Sequence, residues 1–99
     1  MGQTDQDVRP RVVTLVTSSG CHLCEMAKDV LAAVARDHPL TVEEVDLASA
    51  AGQRLARTHR MPFPPMVLID GHVDAHGRVS EKKLRRFLEQ TAVAVSEGT

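Results

Sequence analysis

Tryptophan and tyrosine are absent from this 99-residue chain, and phenylalanine occurs only twice. Its core must therefore be assembled from Val, Leu, Ile, Ala and Met, and a hydrophobic share of 42% suffices for one core without staples. A chain this short does not divide that core, so a single domain is expected. An excess of one charge is also missing: 12 basic residues face 13 acidic ones. That balance leaves no electrostatic footprint for nucleic acid or for an anionic membrane. No apolar run approaches the length of a membrane span. The opening residues, Met1 to Asp7, are polar and acidic, without the basic start and apolar stretch of a signal peptide. Gly2 is not followed by a myristoylation motif, because Gln6 stands where Ser or Thr is required. The expectation is a soluble, cytoplasmic, monomeric protein whose two cysteines are mostly reduced.

Those two cysteines are the most informative residues present. They occur as Ser19-Gly20-Cys21-His22-Leu23-Cys24, after an apolar run from Val12 to Val16 and before a helix-like run reaching about Arg36. A Cys-x-x-Cys pair at a strand-to-helix junction is a redox motif with a physical basis. Gly20 provides the turn, Cys21 falls at the helix N-terminus, and Cys24 lies one turn further in, close enough to close a small disulfide ring. The unpaired N–H groups and positive dipole end at that terminus favour the Cys21 thiolate, the form that attacks disulfides. In such settings the thiol value can fall to about 3.5–7.5. His22, when protonated, adds a cation beside that thiolate; the plainer alternative is an exposed imidazole. Cys21 is thus the expected nucleophile and Cys24 the more buried resolving thiol, with two inert structural cysteines as the alternative.

Along the chain, residues 1–10 read as a disordered lead-in, 11–95 as the domain and 96–99 as a frayed end. Arg11 to Thr17 suits a strand buried on both faces. The first helix, about Cys21 to Arg36, turns Leu23, Ala27, Val30, Leu31 and Val34 inward and ends at His38-Pro39. A second strand, Leu40 to Asp46, points Leu40 and Val42 inward. Ser49 caps a short helix to about His59. Met61-Pro62-Phe63-Pro64-Pro65 is a rigid extended loop, since three prolines in four residues forbid helix and central strand. Met66 to Ile69 is a third strand, Asp70-Gly71 a hairpin turn, and His72 to Ala75 a polar edge strand. Ser80 caps a last helix that buries Leu84, Phe87, Leu88 and Thr91. The order β-α-β-α-β-β-α gives an α/β fold with a four-stranded mixed sheet and helices on both faces.

This order, with Gly20-Cys21-His22-Leu23-Cys24 opening the first helix, Pro65 just before the third strand and Gly77-Arg78-Val79-Ser80-Glu81 before the last helix, resembles a thioredoxin-like, glutaredoxin-sized protein over residues 11 to 92. The Cys-His-Leu-Cys form is similar to that of small bacterial glutaredoxin-like proteins. The resemblance implies dithiol–disulfide exchange in cell redox homeostasis, with a disulfide-bearing protein or small-thiol substrate. The reductant would be glutathione, another low-molecular-weight thiol or a reductase, with no bound cofactor. It further implies that Pro65 is cis, faces the redox pair and bounds the substrate site, keeping metals off the dithiol. Pro64 and Met66 flank it.

The departures concern substrate. Glutathione-using relatives usually read Cys-Pro-Tyr-Cys where this chain has His22 and Leu23. They often carry a Lys shortly before the first Cys, where Thr17-Ser18-Ser19 stands here. Their residue before the cis-proline pairs with the substrate backbone through N–H and C=O, whereas Pro64 has no N–H. Their Gly-Gly-x-Asp-Asp segment is reduced to Gly77 and the acidic Glu81. Thioredoxins place a Trp beside the first Cys and a buried Asp near the position of Leu15, and neither is present. Weak coupling to glutathione is the expectation.

Further candidates carry plainer alternatives. Phe63 and Met66 offer an apolar contact to a client disulfide or serve as ordinary packing. Arg78 and the helix start at Ser80 would hold a carboxylate or form a solvated Arg and a routine cap. His72 and His76 with the cysteines suggest zinc, but their separation does not fit a zinc finger, and exposed hairpin histidines are the simpler reading. Lys82, Lys83, Arg85 and Arg86 form a solvated helix face. The competing function class is a binding or carrier module, holding a metal or iron–sulfur cluster through Cys21 or docking a partner.

Overall fold

The computed structural model describes residues 10–98, with side chains through Thr91. Nearly all of the lead-in assigned to residues 1–10 therefore lies outside the described residues. The elements are β1 (Arg11–Thr17), α1 (His22–Ala35), β2 (Leu40–Asp46), α2 (Ala50–His59), β3 (Met66–Ile69), β4 (His72–His76) and α3 (Glu81–Gly98). The strands form one sheet in the order β2-β1-β3-β4, with β1 and β2 parallel and the other two pairs antiparallel.

Alternation along the two central strands builds two cores. Val13 and Leu15 of β1, with Val67 and Ile69 of β3, meet Ala27, Leu31 and Val34 of α1 and Leu84 and Leu88 of α3. The opposite residues, Val16, Met66 and Leu68, meet Leu47, Leu55 and Met61 around α2. β3 is buried along its whole length, as expected of a strand covered on both faces. Each of these aliphatic side chains contributes about 1.5–3 kcal/mol by leaving water, so the α1/α3 face supplies most of the stability.

Four details differ from the sequence expectation: two burials and two helix ends. Val42, expected to face inward, is 45% exposed. It belongs to an edge strand bonded only to β1, beyond the reach of the α1 stripe, and only Leu40 of that strand packs against the core. Helix α1 begins at His22 rather than Cys21, because Cys21 adopts extended backbone and serves as the N-cap. Helix α3 continues past residue 95 to Gly98, there being no Pro or Gly before Gly98 to stop it. Thr91, assigned to the buried stripe, is half-buried and turns its hydroxyl back onto the Phe87 carbonyl at 2.7 Å.

The ends of the strands fix where the site lies. β1 delivers Thr17 to the same edge of the sheet at which parallel β2 ends and antiparallel β3 begins, since Thr17 is level with Asp46 and Val16 with Met66. The cysteine loop, the loops flanking α2 and the proline segment thus converge at one end.

Candidate active site

Cys21 and Cys24 are disulfide-bonded, with Cα atoms 5.2 Å apart. Gly20, at φ 70°, makes the turn out of β1, a conformation that L side chains avoid. Cys21 then caps α1: its sulfur accepts the Cys24 amide at 3.1 Å, and its carbonyl accepts the Glu25 amide at 3.3 Å. The sulfur therefore occupies the position where a capping oxygen normally sits, facing the free amides of the first turn. Negative charge there is stabilised by that amide and by the positive end of the helix dipole. Cys21 is half-buried and within reach of a partner, whereas Cys24 is 1% exposed and packs inward. His22, the first helical residue, is exposed and Leu23 half-buried.

The proline segment lies at the same end of the sheet, on its β3 side. The Pro64–Pro65 peptide is cis, Pro65 is buried and Pro64 half-buried. The Pro65 carbonyl accepts the Gly77 amide at 2.7 Å, which ties the loop before β3 to the turn after β4. Gly77 is at φ 67°, and the Phe63 ring lies so close over it that an added Cβ would stand 2.7 Å from a ring carbon. A substituent would be strained by conformation and blocked by the ring at once. Phe63 is itself 53% exposed. Met66, a sequence candidate for contact with a client, is fully buried in the core on the α2 side, so its side chain has no surface to offer. Ser80 is exposed, but its hydroxyl is engaged in capping α3, accepting the Lys83 amide at 3.2 Å; Arg78 is exposed on the same turn.

On the other side an open groove of about 450 Å³ runs from residues 17–20 to Glu25, Lys28, Glu44 and Asp46. Its charged groups are all engaged within the fold, although three carboxylates face one lysine, and Asp46 accepts the Ala48 amide at 2.9 Å. The Lys28 ammonium lies 3.1 Å from both Glu25 and Glu44, and the buried Thr17 hydroxyl donates to Glu44 at 3.1 Å. Those carboxylates, Glu25 first, raise the Lys28 value above that of an ordinary lysine. Sequence reading did not single out this network. Its only local trace is the Glu25–Lys28 spacing on α1; the Glu44 and Thr17 contacts depend on strand register. His72 and His76 lie on β4, and among the described residues no three His, Cys, Asp or Glu side chains converge on a metal position. Among the described residues no helix is long and apolar enough to cross a membrane.

Comparison with known proteins agrees with this geometry. Among curated proteins, none matches the chain. Among solved structures, the thioredoxin-like protein BC3987 is 28% identical, covering 77% of this chain and 99% of its own, with a TM-score of 0.62. A mutant thioredoxin from Halobacterium salinarum NRC-1 is 23% identical over 91% of this chain and 85% of its own, at a TM-score of 0.65. A thioredoxin-like protein from Clostridium perfringens shares the fold at 12% identity, covering 82% of this chain and 70% of its own, at a TM-score of 0.66. The sequence profile of the glutaredoxin-like domain (DUF836) matches residues 12–89, from β1 well into α3. With the thioredoxin-like architecture and a Cys-x-x-Cys disulfide at the head of α1, the chain belongs to the glutaredoxin-like domain family.

Proposed function

We propose that the protein is a dithiol–disulfide oxidoreductase working through Cys21 and Cys24. The observation that carries this reading is the placement of Cys21: its sulfur caps α1, accepts the Cys24 amide, and is already bonded to a second, buried cysteine. In the reduced protein the Cys21 thiolate attacks one sulfur of a substrate disulfide. A Cys21–substrate disulfide forms, and the other substrate half leaves as a thiolate that takes a proton from solvent. Cys24 then loses its proton and attacks the Cys21 sulfur, releasing the second thiol and leaving the Cys21–Cys24 disulfide. Two electrons pass from the dithiol to the substrate, and an external small thiol or reductase restores them. Pro65 bounds the site, and the half-buried Pro64, having no N–H, can only accept a hydrogen bond from an approaching main chain.

Substrates of this class are protein disulfides or small-thiol disulfides, met in the cytoplasm in the course of redox homeostasis. Glutathione is a poor reductant in this reading because the residues around the motif lack the lysine and the main-chain donor that would hold it. The test is trapping: incubating Cys24→Ser with a disulfide substrate should give a covalent adduct on Cys21 visible by intact-mass spectrometry, reversed by dithiothreitol. Adducts that form equally well on Cys21→Ser would contradict the assignment of the nucleophile.

A further inference from the structure

From Leu47 to Ile69 the chain carries Arg54, Arg57 and Arg60 together with His59, and no Asp or Glu. The segment comprises α2 and the proline loop, the part of the fold that starts and ends at the disulfide end of the sheet. All three arginines are exposed. Arg54 and Arg57 are three apart on α2 and so are neighbours on its surface. Arg60 follows at the C-cap in left-handed conformation, φ 52°, which turns the chain into the Met61–Pro64 loop. Among the described residues none of the three makes an ion pair, although Arg11, Lys28 and Arg85 all do. Arg57 and His59 lie in the last turn of α2, where they complement the helix dipole. Arg54, a turn earlier, and Arg60, beyond the helix, are not accounted for in that way. Next along the chain stands Phe63, the large apolar side chain with the greatest exposure among the described residues, seated on Gly77.

A cationic helix face followed along the chain by one exposed ring, on a segment that starts and ends at the disulfide end of the sheet, suits a peptide chain better than nucleic acid. The whole chain is near neutral at a net charge of −1, so it has no long-range attraction for a polyanion. Moreover, Pro64 can give an arriving strand no main-chain donor, which shifts recognition onto side chains. We infer that the Arg54–Arg57–Arg60 face of α2, with Phe63, docks an acidic segment flanking the cysteine of a partner protein. That the partner is an exchange substrate rests on the function proposed above; the charge preference does not.

Binding is therefore read where exchange cannot occur. The Cys21→Ser/Cys24→Ser protein is titrated against fluorescent peptide disulfides of equal length, one with Asp and Glu around its cysteine, the other with Lys, by fluorescence anisotropy. The acidic peptide should bind about tenfold more tightly at low salt, and the ratio should fall toward unity at about 0.5 M salt as the charges are screened. Arg54→Glu/Arg57→Glu/Arg60→Glu should reverse the preference, while Lys82→Glu/Lys83→Glu on α3 should retain it. Single Arg→Gln variants, each lowering the ratio, provide the same reading if circular dichroism shows the triple variant to be unfolded. Equal binding of the two peptides, a preference that survives loss of the arginines, or tighter binding of a single-stranded RNA oligonucleotide of matched charge would overturn the inference. If acidic peptides dock but Cys24→Ser traps no substrate, the exchange reading fails and the docking face stands; the opposite pattern removes the docking face alone.

Discussion

On the β2 side of the disulfide, Lys28 lies between Glu25 and Glu44, and the Thr17 hydroxyl completes the chain of contacts. On the α2 side, three arginines face solvent with no ion pair among the described residues, followed along the chain by an exposed phenylalanine. Both flanks belong to segments that meet the sheet at its disulfide end, yet one has its charged groups engaged within the fold and the other leaves them open. An engaged network joins an edge strand to the first turns of α1. An unmatched one adds nothing to the fold beyond complementing a helix end, and it is free to act on a partner. The difference separates scaffold from surface at a site where both are charged.

The strongest disturbance of this arrangement is at the junction of the two flanks. Gly52, in the first turn of α2, is pressed against the end of β2. A Cβ there would collide with the Asp46 carbonyl and stand 2.8 Å from the Leu47 Cα, backbone that cannot swing away. Gly52→Ala should therefore lose about 3 kcal/mol in denaturant unfolding, against the ~1 kcal/mol that alanine normally adds to a helix. A variant as stable as the parent would show that α2 is not seated by this contact. Next in size, removing the three arginines should cost about tenfold in affinity for an acidic peptide, about 1.4 kcal/mol. It should leave the unfolding midpoint close to that of the parent, as expected of solvated side chains. Lys28→Met, by contrast, should lower the midpoint slightly at low salt, with the deficit shrinking as salt rises. If the two sets of variants exchanged these behaviours, the division between scaffold and surface would be wrong.

The same contrast recurs, more weakly, on the β3–β4 hairpin. Burial alone would raise the Asp70 carboxyl, but the Arg11 guanidinium and the Val12 amide outweigh it and hold the group below the ordinary aspartate value. Asp74 lies in the bulge between the Val67–Ala75 and Leu68–Val73 pairs, and desolvation pushes it above that value. The signs are opposite. The Asp70 contribution is present above about pH 3.9 and is lost as pH falls through its lowered value. The Asp74 contribution is present below about pH 3.9 and is lost as pH rises through its raised value. Asp70→Asn should thus be destabilising at pH 7 and nearly neutral in strong acid, whereas Asp74→Asn should be mildly stabilising at pH 7. Unfolding midpoints at the two pH values check both.

Much of the site could be read before the fold was known. Gly20, Cys21 and Cys24 mark a strand-to-helix turn able to close a disulfide through local chemistry, and Pro65 stands out through its place before an apolar strand. Element order followed from periodicity and from strong punctuation at Pro39, Asp70-Gly71 and Gly77. What was misjudged depended on partners distant in sequence. Val42 looks like a core residue in a strand pattern, and only the strand order puts it on an edge. Met66 beside Pro65 looks available to a client until register turns it into the core under α2. The Lys28–Glu44–Thr17 contacts join residues from three elements, and no local pattern announces them. The arginines of α2 were visible in the sequence as a stretch without acids, but their significance depends on α2 returning the chain to the disulfide end of the sheet.

The central claim is that Cys21 and Cys24 form a working dithiol with Cys21 as nucleophile. Its most direct test is steady-state reduction of 2-hydroxyethyl disulfide, a small neutral substrate that needs no docking face, with dithiothreitol as the continuing electron donor and wild-type and Cys21→Ser proteins compared at matched concentration. Turnover above the uncatalysed rate in the wild type, falling to that rate in Cys21→Ser, is the expected result. Full activity in Cys21→Ser would contradict it.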